Sequence, residues 1–425
     1  MFLTSCIPFA TARDILTPEK LPGPELIMIT NLLLSSILYF LTKSAISNAN
    51  VSFLTRLDCN FFIKNLLLIF NAIESFLPVQ SIIKKSFIIC LLFIFTLFES
   101  RAISNNIEDN GIIVLMYHRF EENKYPSTNI KIADFIKQID LIRKNNFNFV
   151  NANDFEKNLV TLKGKKKILL TIDDAFKSFY VQAWPILKKN KIPFLLFVNT
   201  REVGSNGYMS WKQIREISKE KFVHIGNHSY SHDYLVDKTK NEITSDISLA
   251  IKSLKKNLGY NSPFFSYPFG EYSNDFKNII KDFGFKYAFG QHSGVTDETK
   301  DFYELPRFPI NETYGQLERF KTILKTIPLK VKSITPTEKY INNTNNPPTV
   351  TIEFFEDLKN IKLLNCYSNE LNVWRKSEIE YLDNFKIKIN LIGKFTTERG
   401  RINCSLRERD GSWRWLGMQF VIAEL

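Results

Sequence analysis

Two short stretches hold side chains that could do chemistry together. The first is Asp173-Asp174, placed at the end of the apolar run 168–172. Adjacent carboxylates there repel each other and lose hydration, so a fold needs a cation to keep them. The second is His228-Ser229-Tyr230-Ser231-His232, which follows the apolar run 222–225 and Gly226. Two neutral imidazoles and one carboxylate, with a position left open for water, suit a catalytic Zn²⁺ or another divalent transition metal; such an ion lowers the pKa of its water to about 7. Successive strand residues point to opposite faces, so the two carboxylates reach one site only where the strand bends into its loop. One can ligate while the other stays free to accept the proton of an attacking water. Alone, an Asp-Asp pair fits a solvated turn and His-x-x-x-His fits one face of a helix; jointly, at the ends of two apolar strands, they favour a metal site.

The elements that position these residues can be read between 111 and about 330. Apolar runs at 112–117, 168–172, 194–198, 222–225, 264–267 and 287–289 read as buried strands. Helical spacing fills the gaps at 133–144, 182–189, 212–218, 242–258 and 275–283. Alternating strands and helices imply an α/β fold with parallel strands, and this number of units is closer to a distorted (β/α) barrel than to a short open sheet. Barrels of this kind keep active sites where loops leave the strand ends, which is where both motifs lie.

Together, Thr171-Ile172-Asp173-Asp174 and His228-x-x-x-His232 resemble the polysaccharide deacetylase family (carbohydrate esterase family 4, with a NodB-like homology domain). The resemblance covers about 111–309. It implies Asp173 as catalytic base and Asp174, His228 and His232 as metal ligands. Tyr267-Pro268-Phe269-Gly270-Glu271 is similar to the family's third motif, which implies Tyr267 and Pro268 as groove residues and the Phe269 amide as an oxyanion donor. The family's usual Arg before that motif is missing, Ser266 and Tyr267 standing in its place, and Arg307 is a candidate substitute. By the family's pattern His292 would protonate the leaving amine, although its surroundings do not match the usual motif. His118 ends the first strand on the same rim, as a substrate contact or a structural histidine. His224 mimics ligand spacing four residues before His228 but falls within the strand.

Chain length and composition set the frame. The 425 residues, 44% hydrophobic and 24% charged, are enough for two or three domains with buried cores. A mean hydropathy of −0.14 excludes a polytopic transporter. The net charge of +12 falls mainly after residue 102, and with no basic and aromatic stripe it gives no case for nucleic acid. Residues 1–83 form an uncharacterised apolar leader without a recognisable motif, consistent with a mis-assigned start. Lys84-Lys85, the apolar run 87–98 and Ser100-Arg101-Ala102 have the layout of an export signal, read either as a cleaved signal peptide or as an inner-membrane anchor. Both readings send the chain to the periplasm or outside the cell.

Only Cys366 and Cys404 follow that segment. They can form a disulfide, worth roughly 4 kcal/mol on a chain-entropy basis, or remain two buried thiols. The barrel is expected over 103–330, a linker over 331–348, and a C-terminal all-β sandwich-like domain over 349–425, with strands at 350–354, 361–366, 385–391, 401–406 and 413–420. Trp374, Trp413 and Trp415 in this domain could stack on sugars or fill a core. The functional expectation is an exported, metal-dependent hydrolase that removes N-acetyl groups from an N-acetylated glycan. Two alternatives are a deacylase of a small amide or acetyl ester, and an inactive glycan-binding module.

Overall fold

In the computed structural model, residues 111–160, 166–355 and 360–423 are described. The leader and the export-signal pattern lie outside them. Among the described residues no helix is long and apolar enough to cross a membrane.

The strands Ile112–Tyr117, Lys167–Ile172, Phe194–Val198, Val223–Asn227, Phe264–Ser266 and Tyr287–Phe289 lie side by side in chain order and run parallel. Most of their residues are buried, which explains why they read as unbroken apolar runs. Helices cover the outside. Trp211–Ile217 starts on a reciprocal Ser210/Gln213 cap, and Lys240–Leu258 starts on a Thr239/Glu242 cap and stops at Gly259 in the left-handed conformation.

One short segment brings the two edges of this sheet together. Leu305 bridges Phe289 on the last strand, and Phe308–Pro309 pairs in parallel with Leu115 and Met116 on the first. The curled sheet is therefore the distorted barrel expected from the sequence, with Arg307 in the segment that joins its edges.

The C-terminal region is all β. One sheet runs Thr326–Pro328, Trp413–Ile422, Arg399–Arg407, Asn365–Ser368 and Arg375–Lys376; the other runs Val331–Thr335, Val350–Phe354, Lys386–Asn390 and Glu378–Tyr381. Both contribute to one apolar core that includes Ile352, Ile389, Ile402 and Phe420. Cys366 and Cys404 are cross-strand partners and form a disulfide.

The stretch 331–348 is not a linker. Val331–Thr335 pairs with Val350–Phe354, and Tyr340–Ile341 pairs with Val421 and Ile422. Asn346 is buried and exchanges hydrogen bonds of 2.9 Å with the backbone of Phe395, so the Asn-rich run is fixed to the sandwich. The sandwich is also seated on the barrel rim. Gly294 bridges Leu416, the Phe308 and Trp415 rings meet at 5.7 Å, and a Cβ at Gly417 would come 2.4 Å from the Ser293 carbonyl oxygen.

Candidate active site

Lys167–Ile172 delivers Asp173 while still on the sheet ladder, since the Asp173 amide donates to the Tyr117 carbonyl at 2.9 Å. The chain then turns. Asp174 and Ala175 both have positive φ, 72° and 56°, a conformation that non-glycine residues adopt at a cost. That turn swings the second carboxylate to the same rim as the first.

Val223–Asn227 delivers the histidines. The loop is not a helix: Ser229 and His232 have φ of 66° and 56°. Its amides are pinned one by one. Ser229 donates to Asn227, Tyr230 and Ser231 donate to the Asp246 carboxylate at 2.8 and 3.0 Å, and His232 donates to the Ser229 hydroxyl. Asp246 comes from the buried face of Lys240–Leu258, and sequence reasoning missed it. A signal was present: it interrupts the apolar stripe formed by Ile243, Ile247, Ala250 and Leu254.

His228 Nε2 and His232 Nε2 stand 3.5 and 3.3 Å from Asp174 Oδ1. One donor atom from each of these three residues lies within 4.8 Å of the others. Ligands of a tetrahedral ion with bonds of about 2.1 Å would be roughly 3.4 Å apart, so the spacing fits a small divalent cation. His228 fits as well. Its Nδ1 donates to the Ser266 carbonyl at 2.7 Å, which leaves Nε2 with a free lone pair, and that buried atom has no hydrogen-bond partner. Burial lowers the His228 pKa to about 4, so the ring is neutral at physiological pH, as a ligand must be. Asn199, at the end of Phe194–Val198, reaches Asp174 Oδ1 at 3.5 Å.

Asp173 is fully buried and held from the opposite side. Arg307 Nη1 donates to Oδ1 and Nη2 donates to Oδ2, both at 2.8 Å. The guanidinium is itself locked by the Gly290 carbonyl, the Thr171 hydroxyl and the Ser266 hydroxyl. Burial alone would raise the Asp173 carboxyl, but Arg307 and then His228 hold it well below the usual carboxylate range. Asp173 Oδ2 also faces His228 Nε2 at 3.8 Å and His118 Nε2 at 4.0 Å.

The remaining sequence expectations divide. His118, Phe269 and His292 line a cleft of about 510 Å³ together with Asp174 and His232. Phe269 sits at φ 57°, its ring stacked on Tyr234 and edge-on to His232. His292 has a different neighbourhood: burial and then Lys339, Lys300 and Arg307 lower its pKa to about 3. Tyr267 and Pro268 are not groove residues. Both are buried, and Tyr267 packs on Phe265, Tyr272 and Phe276 while its hydroxyl donates to the Tyr303 carbonyl. His224 bonds Asn153 and Ser262, away from the cluster.

Residues 162–288 match the family model described as Polysaccharide deacetylase. That match spans less than a third of the chain and falls within the stretch over which the two motifs resemble the family. Similar proteins include a poly-beta-1,6-N-acetyl-D-glucosamine N-deacetylase of Staphylococcus aureus (strain MRSA252), 25% identical over 236 residues that cover 48% of this chain and 80% of that protein. The Staphylococcus epidermidis protein of the same name is 25% identical over 248 residues, covering 51% of this chain and 83% of its own length. Among solved structures, IcaB from Ammonifex degensii is 28% identical, with a TM-score of 0.46 over 50% of this chain and 97% of that one. The Streptococcus pyogenes deacetylase PplD in complex with acetate is 23% identical, with a TM-score of 0.47 over 50% of this chain and 98% of that one. The polysaccharide deacetylase resemblance drawn from the two motifs is thus borne out.

Proposed function

We propose that this protein is an exported, metal-dependent hydrolase that removes N-acetyl groups from the amino sugars of a polysaccharide. The observation that carries the reading is the pairing of an ionised, arginine-clamped Asp173 with a donor trio of metal-like spacing at one barrel rim. The names of the staphylococcal relatives point to the same substrate class.

Asp174, His228 and His232 would hold Zn²⁺ or another divalent transition metal, which when bound would supply Lewis-acid activation of water and of the acetamide carbonyl. Asp173 takes the proton of the attacking water. Arg307 keeps it anionic and correctly aimed, and a carboxylate so stabilised surrenders the proton again readily. The Phe269 amide is our choice for the donor to the oxyanion.

We assign protonation of the leaving amine to His118 in place of His292. Both histidines are depressed: His118 by burial and by Arg307 and His232, with Asp173 and Asp174 opposing, and His292 by burial and by Lys339, Lys300 and Arg307. His118 Nε2 also stands 4.0 Å from Asp173 Oδ2, so it is the histidine outside the trio that neighbours the group receiving the proton. Acetate and a sugar amine are the products.

The missing motif arginine was the reason to consider an inactive binding module, and the Arg307 clamp removes that reason. Export rests on the 84–102 pattern and agrees with the Cys366–Cys404 disulfide. The test is acetate release from N-acetylglucosamine oligomers by the purified chain, before and after chelation, with metal content measured in parallel. Release that survives Asp173→Asn would sink the mechanism.

A further inference from the structure

The cleft beside the candidate metal trio is not made by the barrel alone. Trp374, Arg399, Arg401 and Trp415 of the β sandwich line it together with His118 and Phe269. Arg319, from the helix Leu317–Ile323, lines it too. Asp174 is the one carboxylate in this lining, and it belongs to the trio.

The three arginines are not equivalent. Arg399 is neutralised by Glu271 at 2.6 Å, with its guanidinium 5.4 Å from the Phe269 ring centroid. Arg319 donates to the Pro309 and Tyr314 carbonyls, and Arg401 donates to the Gln419 side chain at 3.4 Å. Among the described residues neither has a carboxylate within ion-pair distance. Burial brings the Arg319 pKa down to about 10, and burial together with Arg399 lowers that of Arg401. The fold therefore holds two half-buried charges that a bound anion would relieve. Trp374, 50% exposed, offers an apolar face of the kind on which a sugar ring stacks.

We infer that this cleft takes an N-acetylated glycan bearing negative charge, a carboxylate or phosphate on or near the sugar being deacetylated, with Arg319 and Arg401 as its specificity determinants. The inference rests on the hydrolase reading above and adds the substrate's charge. It follows from the chemistry of the product as well. Each deacetylation creates an ammonium group, which two unpaired arginines repel; a neighbouring anion on the glycan offsets that repulsion and keeps the chain bound between cuts.

The experiment compares three oligomers of matched length with the full metal-supplied chain: neutral N-acetylglucosamine, alternating uronate and N-acetyl sugar, and N-acetyl sugars linked by phosphodiesters. Acetate release gives kcat and KM; tryptophan fluorescence of the Asp173→Asn chain gives binding without turnover. One or both charged oligomers should show a KM and Kd about tenfold below the neutral one, a gap that narrows with rising salt. Which charged arm wins separates carboxylate from phosphate. Arg319→Gln and Arg401→Gln should each shrink the gap mainly through KM. Equal or tighter binding of the neutral oligomer overturns the inference, as does a preference untouched by both substitutions. Absence of acetate from every oligomer would instead overturn the hydrolase reading, while the fluorescence titrations still decide the charge preference.

Discussion

Arg307 grips Asp173 with two parallel hydrogen bonds, both groups being fully buried. The arginine lies in the segment that joins the two edges of the sheet, so joining the barrel's edges and charging its carboxylate are accomplished by the same few residues. A neutral replacement would leave a buried carboxylate without its counter-ion. Arg307→Gln should therefore cost about 3–5 kcal/mol in denaturant unfolding. Its catalytic signature is distinct: with Arg307 gone, burial raises the Asp173 carboxyl, and the acid limb of the kcat/KM profile moves to higher pH. Arg307→Lys should restore part of the stability and less of the rate, because a point charge cannot reproduce the fork.

The two histidines outside the trio should separate in kinetics. His118→Asn is expected to lower kcat by about 10²–10⁴-fold, the usual worth of a positioned proton donor. His292→Asn, at a group where Lys339, Lys300 and Arg307 oppose a further proton, should change kcat by less than about tenfold, whereas His118 has Asp173 and Asp174 to favour one. The reverse ranking would return the role to His292.

Asp246 touches none of the candidate ligands, yet it fixes the loop that carries them. Asp246→Asn keeps the shape but can accept from only one of the two amides. We expect metal affinity to fall about 10- to 100-fold, read by competition with a chelator, with little change in the far-UV spectrum.

Acid should weaken the fold before it touches the clamp. Burial lowers the pKa of His224 to about 4, and burial with nearby cations lowers that of His292 to about 3. Unfolded imidazoles take up protons near 6.5, so as pH falls from about 6.5 towards 4 the unfolded chain binds protons the folded chain refuses, and stability falls with them. The Asp173 carboxyl is depressed instead, so its contribution persists through that window and is lost only below the ordinary carboxylate range. Denaturant midpoints measured from about pH 7.5 to 4.5 should drop steadily, and His224→Gln should flatten the slope.

Much of this site was legible because strands buried on both faces leave uninterrupted apolar runs, and their ends mark the rim where Asp173, Asp174, His228 and His232 meet. What stayed hidden depends on contacts between distant segments. Arg307 could be named from the sequence as a candidate, but it lies more than a hundred residues from its carboxylate, and nothing local tells this clamp from an ordinary rim salt bridge. Tyr267 and Pro268 sit inside a family-like motif but are drawn into the core by Phe265 and Phe276. The segment 331–348 read as a linker because its short strands are rich in Lys, Ser, Thr and Asn, types that local propensity assigns to loops until a partner strand supplies the hydrogen bonds.

Gly417 lies against the Ser293 carbonyl with no space for a side chain, and Gln419 reaches the Phe269 and Gly270 carbonyls. The sandwich is thus no detachable accessory. A truncation after the last barrel strand would uncover the Phe308 ring and remove Trp374 and Arg401 from the substrate's path, and a swapped-in C-terminal module could not replace them without a small residue at the same seam. In a lineage of such enzymes the two halves would have to change in step.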